Sequence, residues 1–85
     1  MTVYIDNARR HYRGMRMCHM VADSTEELFA MVDLIGVDRK HIQFRGLAKE
    51  HFDVCAAMRD KALAAGAVPV SSREIVRIMQ SRNSS

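Results

Sequence analysis

The residues with the means to do chemistry are few and spread along the chain: Asp6 and His19, the arginines Arg9, Arg10 and Arg13, then Asp23, and later His51, Asp53 and Arg59. An aspartate can hold a divalent cation or act as a base, and a histidine can pass a proton near neutral pH. Asp6 and His19 are therefore the expected catalytic pair, and Asp6 with Asp23, or alternatively Asp53, the expected metal ligands. Arginine forks suit phosphate oxygens, which makes Arg9, Arg10, Arg13 and Arg59, together with His51 and Asp53, the expected ligand-binding set. Local duties compete at each position. Asp6 suits an Asx-type turn, His19 a half-buried strand position, Asp23 a turn or helix cap, and Arg59 a solvated helix face.

Other familiar chemistry is not written in the chain. Neither G-x-G-x-x-G nor G-x-x-x-x-G-K-[ST] occurs, and H-E-x-x-H and a four-cysteine zinc pattern are missing too. Cys18 and His19 are neighbours, so on a strand they point to opposite faces and do not form a ligand pair. Two cysteines in apolar surroundings read most simply as free thiols in a reducing, cytoplasmic setting, with a disulfide as the alternative. No apolar stretch approaches the roughly 20 residues of a membrane span, and the amino terminus does not read as a signal peptide.

The charge is local. The net +3 resides in the first twenty residues, and the rest of the chain is balanced. A basic loop on a neutral body suits a phosphate or an acidic surface better than a face wrapped in nucleic acid. At 85 residues the chain is one small domain, burying only about 60% of its unfolded surface. Homo-oligomerisation would add burial, with seven methionines as adaptable packing.

The elements that must position these residues alternate. Thr2–Ile5 and Met17–Ala22 read as strands around a loop over 8–16. Ser24 and Glu27 form a capping box, Leu28, Met31, Val32 and Ile35 keep helical spacing, and Gly36 suits the left-handed stop. That predicts a helix over Thr25–Ile35. A third strand is expected at His41–Phe44, then a second helix capped by Asp53, carrying Cys55, Met58, Ala62 and Ala65 on its inner face and ended by Gly66. Ala67–Val70 reads as an edge strand because Pro69 lacks a donor. Ser71 and Glu74 open a last helix, and residues 81–85 read as a disordered tail after a domain over 1–80. The alternation predicts an α/β fold with a small, three-to-four-stranded, mostly parallel sheet and about three helices, with a hairpin of the first two strands as the alternative.

The blocks V-Y-I-D at 3–6, C-H-M-V-A-D-S-x-x-E-L at 18–28, I-Q at 42–43, H-F-D at 51–53 and Arg59 followed by A-x-x-x-G-A-x-x-V-S at 62–71 resemble a family of small bacterial and phage proteins catalogued as a domain of unknown function. The resemblance spans residues 2 to about 79. It groups Asp6, His19, Asp23, His51, Asp53 and Arg59 and implies no reaction. Members typically carry tryptophan at Met17, tyrosine at Phe52 and lysine at Met58, so no role is expected for an aromatic ring, a phenol or a second cation there. The expected function is binding of a phosphate-containing small molecule or nucleotide, extending to metal-dependent phosphoester hydrolysis. The alternative is a non-catalytic, oligomeric interaction protein contacting nucleic acid or an acidic protein.

Overall fold

The computed structural model describes the backbone of residues 2–7, 10–12 and 15–83 and the side chains of 2–7 and 17–82. Strand β1 (Val3–Ile5) pairs antiparallel with β3 (Met15–Ala22), Ile5 opposite Met20. Strand β2 (Arg10–Tyr12) pairs antiparallel with the start of β3, Arg10 opposite Met17. Met17 and Met20 also face Cys55 and Phe52 of β4 (Phe52–Cys55). Since a strand has two edges, β1 and β2 share the edge of β3 that β4 does not use. They form one strand interrupted by a bulge that begins at Asp6, between the pairs Ile5–Met20 and Arg10–Met17. Strand β5 (Val68–Pro69) closes the sheet, running parallel to β1.

This pairing corrects the expected mostly parallel sheet. The sheet is mixed and mainly antiparallel: β1, β2 and β4 all oppose β3, and only β5 lies parallel to its neighbour. The physical reason is the connection. Residues 6–14 are too few for the helical crossover that parallel neighbours need, and enough for a hairpin. The third strand is also displaced. Arg39–His41 forms a single 3₁₀ turn, with the Asp38 side chain accepting from Lys40 N–H. Gln43 makes one bridge to His51, and the strand itself is Phe52–Cys55. Asp53 thus lies inside a strand and does not cap the following helix, α2 (Ala56–Ala64).

The first helix, α1, covers Thr25–Ile35, with the Ser24 hydroxyl accepting from Glu27 N–H at 3.1 Å. Gly36 takes φ 84, and Val37 N–H closes the cap on the Val32 carbonyl at 2.8 Å. Helices α1 and α2 pack on one face of the sheet over Ile5, Cys18, Met20, Leu28, Val32, Phe52 and Val54. Burying each large apolar side chain of this set contributes about 1.5–3 kcal/mol. Helix α3 (Ser72–Asn83) packs against β3, with Ile75 its buried apolar residue. It includes the first three residues of the stretch read as tail. Alternation along β3 and β4 places Cys18 and Cys55 on opposite faces, and both are free thiols. Among the described residues no helix is long and apolar enough to cross a membrane.

Candidate metal centre

The core face of the central strands is filled by Cys18, Met20, Phe52 and Val54. The residues between them, His19 and Asp53, therefore share the other face, directly opposite each other in the register. His51, two residues before Asp53, joins them there. The polar group is the reverse side of the hydrophobic pattern.

Asp6 fixes His19 from behind. The chain leaves the β3 ladder at the bulge, and the Asp6 carboxylate takes the place of a ladder acceptor: Oδ1 accepts from His19 N–H at 2.8 Å. The other oxygen, Oδ2, lies 2.8 Å from His19 Nδ1. A carboxylate accepts only, so Nδ1 carries the hydrogen, and in the neutral ring Nε2 offers its lone pair. His51 is held the same way, its Nδ1–H donating to the Lys49 carbonyl at 2.6 Å. Both imidazoles thus present Nε2 toward Asp53, whose Oδ1 lies 3.8 Å from His19 Nε2 and 3.5 Å from His51 Nε2. The second Asp53 oxygen accepts from Gln43 Nε2 at 2.6 Å.

His19, His51 and Asp53 form a cluster capable of coordinating a metal ion, their ligand atoms all within 4.8 Å of one another. Ligands at ordinary zinc distances around a tetrahedron stand about 3.3 Å apart. Contraction by a few tenths of an ångström at the two Asp53 contacts, and by up to about 1.5 Å between the two imidazole nitrogens, would reach that spacing. Two neutral imidazole nitrogens and one carboxylate oxygen suit a divalent first-row cation and leave a coordination position for water.

Without a cation the pair at the centre is electrostatic. The Asp53 carboxylate is the largest influence on His51 and raises its imidazole above the ordinary value. Burial opposes this, while the Lys49 carbonyl and the charges of Asp53 and Asp6 add to it. In return His51 holds the Asp53 carboxyl below the usual range against its own burial, with help from Gln43 and His19. A cation placed between them would take over the proton's role.

Of the residues expected from sequence, Asp6, His19, His51, Asp53 and Arg59 come together. Arg59 reaches across from α2, its Nε donating to the Asp6 carbonyl at 2.9 Å. Asp6 stands behind His19, on its Nδ1 side. Asp23 serves the sheet end, accepting from Thr2 N–H and the Tyr4 hydroxyl. It lies four positions beyond His19 along β3, about 13 Å at the rise of a strand. Arg9 and Arg13 fall outside the described residues, as does the side chain of Arg10. Gln43 is the functional candidate that sequence reasoning did not single out, and only the I-Q block hinted at it.

A family model described as protein of unknown function (DUF4031) matches residues 3–82. No curated protein and no solved structure matches the chain.

Proposed function

The chain belongs to the DUF4031 family, and we propose that it is a metal-dependent phosphoester hydrolase whose cation is held by His19, His51 and Asp53. One observation carries this reading: two histidines with Nδ1 already committed, to Asp6 and to the Lys49 carbonyl, aim Nε2 at a single carboxylate oxygen. Such anchoring behind a ligand sets ring orientation and basicity at metal sites.

A divalent cation held by His19, His51 and Asp53 would supply Lewis-acid chemistry there, activating water near neutral pH and polarising a phosphoryl oxygen of the ester. His19 serves in this scheme as a ligand, its two nitrogens being engaged by Asp6 and the cation. Arg59, donating through Nε to the Asp6 carbonyl, would hold in place the segment whose carboxylate orients His19. The acidic-partner reading rests on Arg9, Arg10 and Arg13, whose side chains lie outside the described residues.

The test is direct. Chain freed of metal by chelation should take up one Zn²⁺ per molecule in calorimetry and then hydrolyse bis(p-nitrophenyl) phosphate. Both properties should vanish in Asp53→Ala. Uptake that survives Asp53→Ala and His51→Ala would sink the proposal.

A further inference from the structure

On the reading that the cluster binds a metal and acts on phosphoesters, the turn beside it bears on the substrate. Phe44 is 53% exposed, and it is the one non-glycine residue among those described with positive φ, at 54. A bulky aromatic residue in the left-handed region is strained. Its neighbours hold it there. Gln43 is paired to His51 through both backbone hydrogen bonds, 2.9 and 3.1 Å. Leu47 N–H closes a turn on the Phe44 carbonyl at 2.9 Å, with Gly46 at φ 78 where a type II turn needs it. The next side chain, Arg45, is exposed and lies over the Phe29 ring, its guanidinium 5.1 Å from the ring centre.

The strained ring is placed against the metal cluster. It stacks on His51, centroids 6.1 Å apart and planes inclined by 29°. The phenyl lies beside the imidazole that presents Nε2 to Asp53, and the residue is about half exposed. From this separation and ordinary zinc–nitrogen distances, the ring centre lies no further than about 10 Å from a bound cation.

We propose that Phe44 is a stacking platform for a planar aromatic group esterified to the phosphate, and that the substrate class is therefore nucleotides. A free aromatic face accepts any nucleobase, since every base has a π-face. A nucleotide carries a base and a phosphate on one short sugar arm, matching a ring and a cation on one short stretch of surface. Inorganic phosphate engages the cation alone.

The chain has no tryptophan, so Phe44→Trp places a single tryptophan at the platform, excited selectively above the absorption of the two tyrosines. Stopped-flow titration of this variant with AMP, with and without Zn²⁺, should quench the emission, and inorganic phosphate should leave it unquenched. By calorimetry the wild-type zinc-loaded chain should bind AMP roughly tenfold more tightly than inorganic phosphate. Phe44→Ala should lose that preference while keeping zinc affinity within about twofold, because Phe44 contributes no ligand atom. Zinc uptake with equal binding of AMP and phosphate would overturn the platform and spare the metal. AMP quenching without zinc uptake would overturn the metal reading and spare the platform. Emission that shifts with protein concentration and ignores AMP would assign the ring to a protein contact, and this too overturns the proposal.

Discussion

Among the described residues two carboxylates are buried, and they are used in opposite ways. Asp6 (0% exposed) spends its two oxygens separately, one on His19 N–H and one on His19 Nδ1. Glu50 (3% exposed) applies a single oxygen, Oε2, to the Thr25 hydroxyl at 2.6 Å and Gly46 N–H at 2.8 Å. The first holds a ring whose other nitrogen faces Asp53 and, with it, His51. The second ties the 42–50 loop to the start of α1 through groups that do not titrate. Burial alone does not identify a working carboxylate; what its partners can do next does.

This contrast can be attacked directly. The largest effect is expected at the cluster that Asp6 serves: His51→Ala should weaken zinc binding more than about a hundredfold, read by competition with a chromogenic chelator, since two ligands remain. Next is the amide exchange. In Asp6→Asn an amide group meets Nδ1 and favours the tautomer with hydrogen on Nε2, so zinc affinity should fall about 10–100-fold. Glu50→Gln keeps a carbonyl oxygen for both donors and should leave zinc affinity unchanged. Equal responses to the two amides would erase the distinction. Glu50→Ala, by stranding two donors, should cost about 2 kcal/mol in urea unfolding without touching the metal.

The smallest effect is on pH. A raised His51 pKa contributes stability that is complete below its ordinary value near 6.5 and fades as pH climbs through the folded value. A depressed Asp53 pKa contributes stability present above about 4 and lost as pH drops through its folded value. The metal-free chain should therefore gain from this pair most between about pH 4 and 6.5. Its Tm should fall by about 2–4 °C more than that of His51→Gln on going from pH 6 to 8.5. Zinc binding, which needs neutral imidazole, should strengthen over the same rise.

How much of this was legible depends on where tertiary pairing decides. Helix α1 is spelled out locally by Ser24, Glu27, the apolar spacing and Gly36, and it forms where those residues predict. Pro69 likewise marks an edge strand. The sheet's direction was legible only in part: the short connection between the first two strands favours a hairpin, but the strand–helix alternation that follows resembles a parallel layer. The H-F-D-V-C stretch held a readable signal. Phe52 and Val54 alternate with Asp53 and Cys55, a period of two, but Asp53 just before an alanine-rich helix resembled a cap. With that strand misread, His51 and Asp53 were expected in the ligand-binding set, and although the family blocks group them with His19, only the strand register sets Asp53 directly opposite it.

His19 and Asp53 sit on adjacent strands yet belong to distant parts of the chain, with all of α1 and the 3₁₀ turn threaded between them. A cation bridging them would act as a removable staple across a loop of about 30 residues, a closure that the open chain resists entropically. Metal supply would then set more than catalysis: by mass action on the folded form alone, it would govern how long the protein survives in the cell.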